Sequence, residues 1–331
     1  MPKAMGVRVA GTGSANPARV LDNSYFVNRL DTTDAWIRER TGILERRVVS
    51  DGESTATLAI EAARKALDDA RMTAADVDAI IIATITPECQ FPATASFVQH
   101  AIGARSIASF DICAACSGYI YAFVTAVHML QAGTFRNILV IGAETLSRIT
   151  DYEDRTSCIL FGDGAGATLL TTAPDASGPA MLHYQLHSDG AGANMLWVPG
   201  GGSRTPASIM TINERLHYMK MQGREVYRFA VKKMLELVEE TLGEAGVRSD
   251  DIAMLIPHQS NKRIIESARE KLKLPEGKMY TNIERFGNTS AASIPLGLDD
   301  CRKSGRLKSG DLVLLAAFGA GLTWASALVR L

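Results

Sequence analysis

At roughly 100–200 residues per domain, a chain of 331 residues carries two units or one large α/β body, and it is long enough to bury a core without staples. Apolar residues make up 47% of it and charged residues 21%, which excludes a disordered chain. A net charge of −1 leaves no global attraction for nucleic acid or an anionic membrane, so any basic recognition is a local patch.

Near the start, Gly6-Val-Arg-Val-Ala10 reads as a strand, too short and too polar for a signal h-region. Nowhere does an apolar run approach the ~18 residues of a spanning helix. The five cysteines (Cys89, Cys113, Cys116, Cys158 and Cys301) are odd in number and sparse, so they are expected to be free thiols in a reduced, cytosolic protein.

Further along, D-T-T-D-A-W at 31–36 reads as a helix start with Trp36 near the surface. Thr57–Ala70 has helical periodicity, and Ala79–Ala83 is an apolar run of the kind found in buried parallel strands. Ile107–Ile112 reads as a strand and Gly118–Gln131 as an apolar helix. Cys116 and Ser117 lie between them. A thiol at a helix mouth meets unpaired N–H groups and the positive end of the dipole, which lower its pKa and can hold an oxyanion. The local pattern alone leaves an inert buried cysteine and a nucleophile equally open. Cys113, at the strand end, is expected to be buried core filler, which argues against a redox pair. Zinc lacks a second ligand pair, and His183 and His187 on an extended segment would stand ~13 Å apart.

The next strand is expected at Ile138–Ile141. G-D-G-A-G-A at 162–167 lacks the context of a nucleotide loop and is expected to allow close packing between halves, as G-T-G-S-A at 11–15 also fails as a phosphate loop. The turn-rich stretch 171–178 marks a boundary, and 188–208 is a long loop. A helix at Gly223–Leu242 and a strand at Met254–Ile256 follow. His258 comes directly after that strand and before the amphipathic helix Asn261–Leu272. Asn288, in F-G-N-T-S-A-A, precedes another helix. Singly, a structural histidine and an ordinary helix cap explain these two residues better than catalysis does. The strand Leu312–Ala316 leads into A-F-G-A-G-L-T-W, which can bring N–H groups to a reacting carbonyl.

Two internal echoes tie the segments together. Residues 67–84 resemble 242–259, and 131–143 resemble 303–317. Asp76 to Asp251 is an offset of 175, and Ile138 to Leu312 an offset of 174. Their agreement predicts a duplicated α/β half. The same offset carries Cys116 close to Ser290, so the loops of Cys116, His258 and Asn288 are expected to cluster at strand ends.

Taken in order, F-D-I-C-A-A-C-S-G-Y, I-P-H-Q-S-N-K-R-I-I, F-G-N-T-S-A-A-S-I-P and F-G-A-G-L-T-W resemble the β-ketoacyl-[acyl carrier protein] synthase III family. D-T-T-D-A-W-I-R-E-R-T-G-I and D-R-T-S-C-I-L-F-G-D-G-A-G-A extend the resemblance over nearly the whole chain. It implies a thiolase-like α/β fold of two duplicated halves in a five-layer α-β-α-β-α arrangement. Residues 1–174 would carry the nucleophilic cysteine, and 175–331 the histidine and asparagine. It implies a decarboxylative Claisen condensation of an acyl-CoA primer, expected to be acetyl-CoA, with malonyl-ACP to give a 3-oxoacyl-ACP. A specialised acyltransferase or condensing enzyme of secondary metabolism is the alternative.

The resemblance also implies roles. Cys116, His258 and Asn288 form the triad, with an oxyanion hole from the N–H groups of Cys116 and Ala320; Ala320 departs from the commoner glycine. Thr32, Trp36, Arg40 and Arg155 bind CoA. Phe91, Leu146, Phe161 and Phe318 line the acyl pocket or channel, Phe91 by reaching into the partner subunit. Arg228, Arg263 and Lys271 meet the carrier protein. No cofactor and no metal are implied, acyl-CoA being a substrate. The expected form is a cytoplasmic homodimer that binds acyl-CoA and malonyl-acyl carrier protein, but neither nucleic acid nor membrane.

Overall fold

The computed structural model describes residues 6–173 and 181–331. The expected boundary at 174/175 lies outside the described residues.

Two mixed sheets form the frame. In the first, the strands run in the order Val7–Ala15, Asp163–Thr172, Asn137–Thr145, Ala79–Ala83, Ala108–Ile112. In the second the order is Met181–Ser188, Thr323–Arg330, Leu312–Gly319, Met254–Pro257. Both begin with two antiparallel pairings and then turn parallel. The fifth place in the second sheet is held by a single parallel bridge, Leu255 to Met279. The sheets are thus mixed, and Asn137–Thr145 and Leu312–Gly319 each have one parallel and one antiparallel neighbour.

Side-chain alternation on these strands builds the layers. Ile81 points inward with Tyr119, Phe123, Val127 and Leu130 of the helix Gly118–Gln131. Ile80 and Ile82 point outward to the helix Thr55–Ala70. In the second sheet Val313, Leu315 and Ala317 face the central layer, and Leu314 and Ala316 pack on the helices Gly223–Ala245 and Lys262–Lys271. The two central helices, Gly118–Gln131 and Ser293–Lys303, lie between the sheets. The result is the expected α-β-α-β-α order. A helix apolar on all sides belongs in such a middle layer, and nine residues of Gly118–Gln131 are buried.

Equivalent elements repeat at one spacing. The strands starting at Ala79 and Met254, and the central helices starting at Gly118 and Ser293, are 175 residues apart. So are the 3₁₀ turns Ala115–Ser117 and Ser290–Ala292 that precede those helices. Ala115 and Ser290 both have positive φ, 46° and 48°. Non-glycine residues adopt that region at a cost of roughly 1–2 kcal/mol.

Glycines let the halves meet. A Cβ on Gly142 would collide with the carbonyl oxygen of Ala291, one on Gly162 with that of Phe286, and one on Gly166 would lie 2.6 Å from the Leu296 nitrogen. The 162–167 run thus packs backbone on backbone across the halves. Gly11 and Gly13 do the same within the first half, against the helix Thr55–Ala70. Local capping sets helix starts. Ser54 closes a capping box with Thr57, which starts that helix at Thr55. Asn261 caps the helix Lys262–Lys271 by accepting from the Arg263 N–H at 2.9 Å, so it precedes the helix and does not begin it.

Candidate active site

The strand Ala108–Ile112 ends three residues before the first 3₁₀ turn, and Cys116 is the middle residue of that turn. Ala115 in the left-handed region turns the chain so that Cys116 sits at the mouth of the helix Gly118–Gln131. His258 follows the strand Met254–Pro257 and is tied to the sheet by its N–H, which donates to the Ala316 carbonyl at 2.8 Å. Asn288 is locked to the first half. Its N–H donates to the Leu160 carbonyl at 2.8 Å, and its carbonyl accepts from the Gly162 N–H at 3.0 Å.

These three side chains line one cavity of about 100 Å³, together with Phe161, Phe318 and Gly319. All three are nearly inaccessible: Cys116 9%, His258 1% and Asn288 7% exposed. The Phe318 ring meets the His258 ring edge-on, centroids 5.7 Å apart. The Asn288 side-chain oxygen accepts from the Ser290 N–H at 2.9 Å. That bond fixes the amide so that its NH₂ group is free to donate. Gly319 presses against Cys116; a Cβ there would lie 2.7 Å from the Cys116 nitrogen. Ala320, next in line, is not among the described non-glycine residues with positive φ, so alanine fits where the family commonly has glycine.

Burial decides the charge states. It pushes the Cys116 thiol up to about 12, although the neighbouring Ser290 hydroxyl works the other way. The expectation of a lowered pKa is therefore corrected: desolvation outweighs the helix mouth in the unliganded site. Burial likewise takes His258 down to about 3, so its imidazole is neutral at physiological pH. Its Nδ1 has no hydrogen-bond partner among the described residues.

Cys113 requires a second correction. It is exposed, and it lines a second cavity beyond Cys116. The strand stops at Ile112 and belongs to the edge of its sheet, so Cys113 falls in the turn and not in the core. This second cavity has a volume of about 350 Å³. Ile85, Leu146, Ile149, Phe161 and Met219 supply apolar walls, and Ala320 closes one side near Cys116. Leu146 and Phe161 from the expected set lie together here; Ile85, Ile149 and Met219 come from loops with no sequence signature. Phe91 does not line either cavity and is 84% exposed.

On the other side, the Cys116 cavity runs into an open trough of about 690 Å³ through the shared residues Met221, Gly223 and Tyr227. Trp36, Arg40, Arg228 and Arg263 line that trough. The Arg155 guanidinium stands over the Trp36 ring, 5.5 Å from its centroid. A base sandwiched between two planes needs about 7 Å, so the half-exposed Arg155 has to swing outward to admit one. Thr32 has its hydroxyl buried and unpartnered. Lys271, exposed at the end of its helix, is not part of the trough lining. Among the described residues no group of three or more His, Cys, Asp or Glu side chains is gathered for a metal.

A basic trough, a buried thiol with imidazole and amide donors, and an apolar chamber behind it, on two related α/β halves, define an acyl-transferring enzyme of the thiolase fold. A profile described as 3-oxoacyl-[acyl-carrier-protein (ACP)] synthase III matches residues 110–190, and one for the C terminal part of that synthase matches 242–331. The chain is 48% identical to the β-ketoacyl-[acyl-carrier-protein] synthase III of Caldanaerobacter subterraneus subsp. tengcongensis over 322 residues, 97% of each chain. Superposition on the crystal structure of 3-oxoacyl-[acyl-carrier-protein] synthase III from Aquifex aeolicus gives a TM-score of 0.89 at 41% identity, covering 98% of this chain and 100% of that one. The priming β-ketosynthase from the R1128 polyketide pathway gives 0.92 at 31% identity, covering 100% of this chain and 98% of that one. The chain belongs to the β-ketoacyl-[acyl carrier protein] synthase III family and is an acyltransferase of the condensing type.

Proposed function

We propose that this enzyme starts type II fatty acid synthesis by condensing an acyl-CoA primer with malonyl-ACP through an acyl-Cys116 intermediate. The observation that carries the reading is the cavity that Cys116, His258 and Asn288 line together. In the first half-reaction the Cys116 sulfur attacks the thioester carbonyl, and CoA leaves. The oxyanion is held by the N–H groups of Cys116 and Ala320, which the close approach of Gly319 brings together. In the second, malonyl-ACP loses CO₂, and the enolate carbon attacks the acyl-enzyme. Negative charge builds on the malonyl thioester oxygen. A neutral His258 and the free Asn288 amide can both donate to it, and asparagine cannot take a proton from it.

The trough supplies the substrate arms. Trp36 and Arg155 offer an aromatic and a guanidinium plane to the CoA adenine, with Arg40 in the same trough; Thr32 is assigned to the nucleotide by the family resemblance alone. Arg228 and Arg263 at the same mouth, and Lys271 on the flank, would meet the acidic carrier protein. The exposed Phe91 fits a homodimer in which Phe91 of the partner subunit closes the acyl chamber. No described helix is long and apolar enough to cross a membrane, in keeping with a cytoplasmic enzyme. The chemistry needs no metal or cofactor.

The size of the chamber supports a second reading of the primer. A water molecule takes about 30 Å³, close to the space of a methylene. The cavity of about 350 Å³ therefore admits primers longer than acetyl, as a specialised ketosynthase would use. A coupled assay of 3-oxoacyl-ACP formation over a series of acyl-CoA primers tests both readings. Condensation with no primer of any length would refute the proposed function; the preferred length decides between acetyl and longer chains.

A further inference from the structure

A buried carboxylate stands behind the thiol, and the half-reactions above do not use it. Glu144, near the end of the strand Asn137–Thr145, is 0% exposed. Its Oε2 accepts from the Thr86 hydroxyl at 2.6 Å, the Thr84 hydroxyl at 3.2 Å and the Ile85 N–H at 3.1 Å. Its Oε1 accepts from the Ser290 hydroxyl at 3.0 Å. No cation is among these described partners. A carboxylate placed so deep without a counter-charge is costly to the fold. Ser290 and Cys116 line the same cavity, and the Ser290 hydroxyl lies close enough to the thiol to favour its charged form. Its left-handed backbone, at φ 48°, aims it between the two groups.

The site has a proton to dispose of. Attack on a thioester requires the Cys116 sulfur without its proton, and burial holds that proton firmly. The buried imidazole of His258, down at about 3, is too weak a base to take it at neutral pH. Burial pushes Glu144 the other way, up to about 7, where a carboxylate is a useful acceptor.

We propose that Glu144, acting through the Ser290 hydroxyl, receives the Cys116 proton during acylation and returns it after condensation. The inference rests on the reading that Cys116 is acylated. As the sulfur–acyl bond forms, the thiol proton moves to Ser290 Oγ and the Ser290 proton moves to Glu144 Oε1. CoA departs as a thiolate and is protonated from solvent. In the condensation the malonyl carboxylate leaves as CO₂, the new carbon–carbon bond forms, and Cys116 is released as thiolate. Glu144 then returns its proton through Ser290. Each cycle consumes one solvent proton, as the condensation requires. Because it acts through Ser290, Glu144 is a positioning residue.

The titratable groups facing Glu144 are Cys113 and Cys116, both of which its charge pushes up; His258 meets the Ser290 backbone and not the carboxylate. The other contacts are hydroxyls and one N–H, so a pH response near neutrality belongs to Glu144.

The test is the rate of Cys116 acylation by an acyl-CoA that primes the wild type, read by rapid quench and intact mass across neutral pH. Glu144→Gln keeps the shape of the side chain, and Ser290→Ala cuts the link while leaving the carboxylate. Each is expected to slow acylation by roughly 10²-fold near neutral pH, and to abolish the rise in rate through about pH 7. Unchanged rates and pH profile in either folded variant overturn the proposal, and so does a slowing equal at every pH. If Glu144→Gln does not fold, Ser290→Ala decides alone. A wild type that no acyl-CoA acylates overturns the parent reading and the relay with it; acylated wild type beside unaffected variants overturns the relay only.

Discussion

At the scale of single residues, the site is governed by desolvation. His258 is held at about 3, well below its ordinary 6.5, so its share of stability is present above pH 6.5 and is lost as pH falls toward 3. Glu144 is held at about 7, above its ordinary 4.5, so its share is present below pH 4.5 and is lost as pH rises through 7. Between 4.5 and 6.5 the two slopes oppose each other. Glu144→Gln removes one of them. Relative to wild type, its stability should gain on the order of 3 kcal/mol between the acid and neutral ends of that window. Urea unfolding across the window measures this, and parallel profiles for the two proteins would contradict it. Cys113 gives a second prediction. As Cys113 is an exposed residue lining the second cavity, its replacement by alanine should leave condensation within about threefold of wild type, whereas a dithiol enzyme would lose activity.

Residues with a position-specific signal were legible in the sequence. Cys116 sits between a readable strand and a readable helix, and His258 sits at a strand end. Glu144 carried no such signal. Nothing in G-A-E-T shows that four donors from two distant segments converge on one carboxylate. Cys113 misled because the strand before it lies at a sheet edge, where none of its five residues is buried.

At the scale of elements, the repeat spacing was the most informative feature. It placed the second 3₁₀ turn opposite the first, and the structure pairs Ala115 with Ser290 down to their positive φ. What the sequence could not show was how tightly the turns approach the opposite half. Gly142 meets the backbone of Ala291, a residue of the second turn. Gly142→Ala should therefore cost about 1–3 kcal/mol, because the colliding atom is backbone and cannot swing away. Chemical denaturation measures the loss. A variant as stable as wild type would mean that the halves can part without penalty. The short helix Ile209–Asn213 follows directly on the stretch 188–208, read as a long loop, and was not anticipated. Its capping box at Ser208 and Thr211 is present in the sequence, but Ile209, Met210 and Ile212 remain exposed, so no core-facing periodicity marked it.

For the whole molecule, the duplicated pattern pointed to two related α/β halves and the family resemblance implied the five-layer order, while the chambers on either side of Cys116 emerged only in three dimensions. The single chain leaves Phe91 in solvent and the strand Ala108–Ile112 at a sheet edge. The proposed homodimer would cover both. Sedimentation should give twice the mass of one chain, and Phe91→Ala should shift primer preference toward bulkier acyl groups. A monomer that is fully active would remove Phe91 from the account. The central claim, that Cys116 carries the acyl group through both half-reactions, is met most directly by intact mass. After incubation with acyl-CoA the protein should gain the mass of one acyl group, mapped to the peptide of Cys116, and malonyl-ACP should then discharge it as 3-oxoacyl-ACP. No adduct with any primer, or an adduct that malonyl-ACP leaves in place, would contradict it.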